Sequence, residues 1–147
     1  MTTIHHDLHA ACTPDRVWKL LADLEAVKRY NHTVKEVAIV GEQRDGVGAR
    51  RSCQLLPSGR VLERVTHWEQ GSALGLEVAE SDWPVHFMRW VTRIAPDEAG
   101  TRITQTLEYR MKLGPVGWLL DKLVMRRKLT HTLDRVLGQL AREAETL

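Results

Sequence analysis

From Val116 to Ala144 apolar residues recur at steps of three and four: Val116, Leu119, Leu120, Leu123, Val124, Leu133, Val136, Leu137, Leu140 and Ala144. That spacing places side chains along one stripe of a helix. It predicts one uninterrupted amphipathic helix from Pro115 to Ala144, roughly 40 Å long at about 1.5 Å per residue. Gly114 breaks the preceding run, and Pro115 suits a first helical position, where its missing N–H would have no intrahelical partner.

Upstream the pattern changes to strands. Thr3 to Ala11 alternates loosely and stops at Thr13-Pro14, an N-cap and first-turn pair that opens a short helix carrying Val17, Trp18, Leu20 and Leu21 on its buried side. A second short helix is expected from Asp23 to about Arg29. Strands are expected at Val34 to Val40, Ala49 to Leu55, Arg60 to Trp68, Ala73 to Ala79, Phe87 to Ile94 and Thr101 to Met111, because each separator contains Gly or Pro and most are short enough for hairpins. Consecutive hairpins make an antiparallel meander. The order strand, two helices, six strands, long helix therefore describes an α+β fold with its helices segregated from the sheet.

With a period of two, Ala49, Arg51, Cys53 and Leu55 share a side, as do Leu62, Arg64, Thr66 and Trp68, then His86, Met88, Trp90 and Thr92, then Ile103, Gln105, Leu107, Tyr109 and Met111. These faces mix Trp, Met, Leu and Tyr with Arg51, Arg64, His86 and Gln105. Mostly hydrophobic walls with a few orienting polar groups suit a ligand cavity. For either arginine the opposite reading, a guanidinium pointing to water, carries equal weight. On the strand from Arg60, a rival face of Val61, Glu63, Val65 and His67 is nearly as apolar, and the pattern leaves both open.

Composition bounds the possibilities. The 147 residues contain 43% hydrophobic and 27% charged side chains, enough for one domain spanning the chain. A net charge of +2 is too small for a nucleic-acid footprint, so Arg126, Arg127 and Lys128 read as a solvated face. The polar first residues and the lack of any long apolar run argue against export or membrane spanning and give a cytoplasmic expectation. Cys12 and Cys53 lack metal spacing and read as small buried hydrophobes. His5 and His9 share one side of the first strand and His6 the other; no Cys, Asp or Glu completes a ligand set, so they read as exposed edge residues and no metal is expected. Gly46-Val47-Gly48 leads into a strand, not a helix, so no nucleotide cofactor is expected. Glu63, His67, His86 and Tyr109 are candidates for acid–base work, each isolated in sequence, and such residues on strands are more often hydrogen-bonded wall groups. Of the five tryptophans, Trp18 and Trp118 read as core anchors on helices, while Trp68, Trp83 and Trp90 fall in the second half of the sheet, with Trp83 in a turn suited to a cavity mouth.

Several local stretches, in order, resemble the START/Bet v 1-like (SRPBCC) superfamily, and most closely its polyketide cyclase/dehydrase-like branch. They are Ala11-Cys12-Thr13-Pro14-Asp15-Arg16-Val17-Trp18, Asp23-Leu24-Glu25 with Tyr30, Gly46 to Arg51, Gly59 to Val65 leading to Trp68, and Gly100-Thr101-Arg102-Ile103-Thr104. The resemblance covers nearly the whole chain. It implies a helix-grip fold, a seven-stranded antiparallel sheet wrapped around the C-terminal helix with a deep hydrophobic cavity between them. Members bind lipids, sterols, polyketides or hormones, and a minority are aromatase/cyclases whose cavity holds an arginine and aromatic residues on the middle strands. Trp90 stands where such an aromatic is expected; Trp68 occupies the position matching the arginine, a departure from the cyclase pattern.

Three classes of function follow as expectations. The first is a carrier or sensor that binds a hydrophobic small molecule, such as a lipid or polyketide, with Arg51, Arg64, Trp68, His86, Met88, Trp90, Gln105, Leu107 and Tyr109 as ligand-binding residues. The second is a polyketide cyclase/dehydrase-type enzyme in which the polar groups stabilise an enolate and a histidine or tyrosine moves the proton. The third is a partner-binding module that uses a surface such as Arg126 to Lys128. Ligand identity and oligomeric state are not encoded in any of these patterns.

Overall fold

Turn residues and alternation build a meander that one C-terminal helix covers. The computed structural model describes residues 2–112, 114–120 and 124–147, with the backbone alone at 117, 118 and 120. Strand β1 (Thr2–Ala10) is followed by α1 (Pro14–Ala22), a 3-10 turn at Leu24–Ala26 and α2 (Val27–Tyr30). Six strands come next: β2 (Val34–Val40), β3 (Arg50–Leu55), β4 (Arg60–Glu69), β5 (Ala73–Ser81), β6 (Val85–Asp97) and β7 (Gly100–Met111). Helices α3 (Gly114–Leu120) and α4 (Arg126–Glu145) end the chain. The sheet is antiparallel and seven-stranded in the order β1-β7-β6-β5-β4-β3-β2, the helix-grip arrangement.

The single helix expected from Pro115 to Ala144 is described as two segments. α4 starts at Arg126, after a π turn at Val124 and Met125, and the join to α3 falls at residues 121–123, outside the described residues. Val116, Leu119 and Val124, expected on the buried stripe, are instead exposed, while the side chains of Leu120 and Leu123 on that stripe, and of Trp118, expected as a core anchor, lie outside the described residues.

The interior has two unequal ends. Under α1, α2 and the C-terminal half of α4, the side chains of Val17, Leu21, Leu24, Ile103, Val136, Leu137, Leu140 and Ala144 are buried in one cluster. Trp18 on α1 meets Trp68 on β4 edge to face, ring centroids 5.2 Å apart at 76°, a geometry worth about 0.5–1.5 kcal/mol beyond area burial. At the other end a smaller cluster of Ile4, Leu107 and Tyr109 is flanked by Met88, Trp90, Met111, Leu129 and Leu133, all only half-buried.

Where β1 leaves the sheet, its last residue crosses the β6–β7 turn closely. Gly100 sits there at φ 147°, and a Cβ on it would stand 2.2 Å from the Ala10 carbonyl oxygen. Gly71 shares the positive φ, at 80°, but a Cβ there would meet nothing within 4 Å. Gly100→Ala is therefore expected to cost about 1–3 kcal/mol more than Gly71→Ala, since both carry the backbone strain and only the first adds a clash with backbone. Urea unfolding of the two variants measures the difference.

Candidate functional site

The polar groups of the interior arise from register. β3 and β4 form a hairpin whose pairs lie symmetrically about Pro57, so Arg51 stands directly opposite Glu63 and Cys53 opposite Val61. Opposed residues share a face. Arg51 and Glu63 are consequently both turned inward, at 3% and 6% exposure. The Arg51 guanidinium donates from Nε and Nη2 to Glu63 Oε2 at 3.4 and 3.2 Å, and from Nη1 to the Leu24 carbonyl at 3.1 Å. Cys53 Sγ donates to Glu63 Oε1 at 3.6 Å.

Burial opposes the charge on Arg51, but the Glu63 carboxylate beside it, with Tyr30 and Cys53, holds its pKa above the ordinary arginine value. Burial also raises the Tyr30 phenol, against the pull of the Arg51 charge. The Cys53 thiol is pushed up to about 12, first by burial and then by Glu63. Every member of this cluster holds a partner within it, so the arginine expected to meet a ligand is instead committed to the fold.

The rival face of β4 is the one that turns inward up to Val65, and neither strict alternation describes the whole strand. Val65 pairs with Leu76 and His67 with Gly75, so Thr66 is an extra, bulged residue. The bulge reverses parity, and Val61, Glu63, Val65 and Trp68 come to share the inner side. Arg64, expected inside, is corrected to the outer face: its side chain is 49% exposed and pairs with Glu77. His86, also expected inside, is exposed because it lies at the irregularity between Val85 and Phe87, where the β6–β7 ladder slips. Met88, Trp90, Gln105, Leu107 and Tyr109 face inward as their alternation requires. Trp83 does not stand free at a mouth; its indole Nε1 donates to the Ser58 carbonyl at 3.3 Å and covers Gly59.

A polar band crosses the floor between the two interior clusters. His6 on β1, Gln105 on β7 and Thr92 on β6 are successive cross-strand partners, and the row continues through Leu74 to Trp68. Gln105 Nε2 donates to Thr92 Oγ1 at 2.8 Å, while its carbonyl oxygen is buried without a hydrogen-bond partner among the described residues. Such an orphaned acceptor costs about 1–3 kcal/mol. Turning the amide over would orphan a donor instead. Leu107, two residues on, belongs to the half-open cluster, so Gln105 borders it directly.

His6 was expected at an exposed edge. It instead lies on the inner face of β1, where its Nε2 meets Asp134 Oδ1 of α4 at 3.1 Å. Nothing in the sequence signals a contact between residues so far apart. With Arg126, Arg127, Thr130 and His131 this pair lines a groove of about 600 Å³. His67 is paired with Glu69, away from the interior, leaving Glu63 and Tyr109 as the inward members of the acid–base candidates. Among the described residues no group of three or more His, Cys, Asp or Glu side chains is placed to hold a metal, and no helix is long and apolar enough to cross a membrane.

Residues 1–145 match the family described as polyketide cyclase/dehydrase and lipid transport. The chain belongs to that family. Solved structures agree on the fold: a protein from Thermus thermophilus superposes with a TM-score of 0.82 at 22% identity, with 97% of each chain covered. A START superfamily protein from Mycobacterium smegmatis gives 0.79 at 16% identity, covering 98% of this chain and 97% of its own. Norcoclaurine synthase from Thalictrum flavum, solved with dopamine and hydroxybenzaldehyde, gives 0.70 at 18%, covering 96% of this chain and 84% of its own. No curated protein matches the sequence.

Two of the ion pairs made by β4, Arg51–Glu63 and Arg64–Glu77, separate burial from surface chemistry. Glu63→Gln leaves a buried guanidinium without its counter-charge and is expected to cost about 3–5 kcal/mol. Arg64→Ala should cost less than about 1 kcal/mol, because solvent screens its pair with Glu77. Chemical denaturation checks both. The folded protein at about pH 8 should also leave Cys53 unlabelled by iodoacetamide, since the reactive thiolate is scarce four units below its pKa of about 12.

Proposed function

We propose that this protein binds a hydrophobic small molecule, such as a lipid or polyketide, between the sheet and the N-terminal half of α4, as a carrier or sensor. The observation that carries this reading is the half-burial of Met88, Trp90, Met111, Leu129 and Leu133 around the cluster of Ile4, Leu107 and Tyr109. Large apolar side chains that face inward yet keep access to solvent have space beside them. Covering that surface contributes about 25 cal/mol per Å².

Gln105 supplies the orienting polar group. Its unpaired amide atom would be satisfied by a hydroxyl or carbonyl on the ligand, depending on which way the amide is turned. Arg51 and Cys53 are held in the Glu63 cluster, Arg64 and His86 face outward and Trp68 packs on Trp18 in the filled end, so affinity in this reading comes from Met88, Trp90, Leu107 and Tyr109. The family's description includes lipid transport, and norcoclaurine synthase was solved with two aromatic molecules, dopamine and hydroxybenzaldehyde.

A second reading, a cyclase/dehydrase-type enzyme, is favoured by one observation, the His6–Asp134 pair. A carboxylate that orients an imidazole beside an apolar site is an arrangement for moving a proton. His6→Gln separates the two: a carrier keeps its ligand affinity, whereas an enzyme loses turnover with binding intact.

Native mass spectrometry of the isolated protein is expected to show an adduct that organic extraction releases. Met88→Trp, which fills the half-open end, should reduce both the adduct and the affinity for an apolar fluorescent probe by about tenfold or more, equivalent to about 1.4 kcal/mol. A bare polypeptide mass together with no saturable binding of fatty acids or polyaromatic probes overturns the carrier reading.

A further inference from the structure

Six large hydrophobic side chains are strongly exposed among the described residues, and three of them, Val116, Leu119 and Val124, fall within nine positions of the chain. The others, Val47, Leu56 and Leu147, lie apart from one another in turns and at the terminus. Val116 and Leu119 are three apart on α3 and so share a face. After Val124 and the half-buried Met125 come Arg126, Arg127 and Lys128, all exposed, and Arg135 is exposed two turns further along α4.

None of these four cations forms an ion pair among the described residues, whereas Arg29, Arg89 and Arg102 each engage an acid. The one acid between Arg126 and Arg135 is Asp134, which meets His6 and lines the same groove as Arg126 and Arg127, so four cations face a single carboxylate. Asp121 and Lys122, between the two segments, cancel in charge. The described residues from Val116 to Arg135 thus combine three exposed apolar side chains with an excess of positive charge.

We propose that this segment docks the protein on a bilayer bearing anionic headgroups, with Val116, Leu119 and Val124 entering the interface and the cations at the start of α4, Arg126, Arg127 and Lys128, reaching the headgroups. Short aliphatic tips beside long cationic side chains are the composition of an interfacial helix, which needs no shape-matched partner. A second copy fits poorly, because a two-fold contact through this patch would set the same cations against each other. The chain segments on either side lead to the half-open end: Met111 ends β7, and Leu129 and Leu133 follow on α4. Docking here would hold that end against the lipid. The inference rests on the surface alone and stands whether or not the interior is occupied.

Co-sedimentation with vesicles of phosphatidylcholine, with and without about 30% phosphatidylglycerol, tests it at about 0.1 M salt, where the screening length is near 10 Å. Binding is expected on the anionic vesicles only, with release at about 1 M salt, where that length falls to about 3 Å. Charge reversal at Arg126→Glu, Arg127→Glu and Lys128→Glu together should abolish it, and the milder Arg127→Gln should weaken it about fivefold, one headgroup-facing charge. The pair Val116→Ser and Leu119→Ser should also weaken binding, with circular dichroism and melting temperature unchanged. Equal partition to both vesicle types, no partition to either, or partition that survives charge reversal overturns the proposal. So does self-association by light scattering that the serine pair removes, or capture of an acidic protein that vesicles do not compete with; either outcome assigns the patch to a protein contact.

Discussion

The buried Arg51–Glu63 pair joins three parts of the molecule that sequence order keeps separate. It closes the β3–β4 hairpin from within, and through the Leu24 carbonyl it fastens the turn between α1 and α2 onto the sheet. A carbonyl at a helical turn is one of the groups a short helix leaves unpaired, and the guanidinium satisfies it without water. Replacing both charges with apolar groups of the same shape would be tolerable energetically, but it would remove the directional contact that sets where the helices lie. Because α1 and α2 are held over that end, the opposite end is covered, among the described residues, by the first half of α4.

This asymmetry divides the interior by kind. The end under α1, α2 and the last turns of α4 is filled with Val, Leu, Ile and the Trp18–Trp68 contact, and it supplies the apolar burial that holds the domain together. The other end exposes part of the same kind of side chain. Between them the row His6, Gln105, Thr92 places polar atoms where a packed core would have none. Two buried side-chain atoms, Gln105 Oε1 in this row and Trp18 Nε1 in the filled end, find no hydrogen-bond partner among the described residues, each at a cost of about 1–3 kcal/mol. Family membership sets the frame for such a site but not its chemistry, which is decided by the wall residues.

Most of the architecture was legible in the sequence because its punctuation is local. Gly and Pro in the separators, and Thr13-Pro14 before α1, mark boundaries that the structure keeps within about two residues for most elements. The residues of the candidate site were legible only where a strand kept strict alternation, as on β7, where Ile103, Gln105, Leu107 and Tyr109 all face inward. On β4 the extra residue at Thr66 shifted parity, so the two faces weighed from the sequence were each right for half the strand. Arg64 and His86 went astray for this kind of reason: a period of two carries no information about bulges. The Arg51–Glu63 pair had a faint signal in the symmetry of the hairpin about Pro57. The His6–Asp134 contact had none, because it depends on how α4 crosses β1.

The same helix therefore carries two unlike surfaces, and the first half of α4 is where they meet. Its inner side sets the half-buried Leu129 and Leu133 against the cluster of Ile4, Leu107 and Tyr109, and its outer side offers Lys128 and Arg135 to solvent. The second half, with Val136, Leu137, Leu140 and Ala144, is anchored in the filled cluster. Free energy of folding thus resides mainly at one end and accessible apolar surface at the other. Occupying the half-open end with an apolar molecule would add stability in proportion to RT ln(1 + [L]/Kd) without any rearrangement of the anchored half. Movement of α4 relative to the sheet, if binding requires it, would be resisted at the His6–Asp134 contact, the hydrogen bond that ties β1 to this helix beside the open cluster.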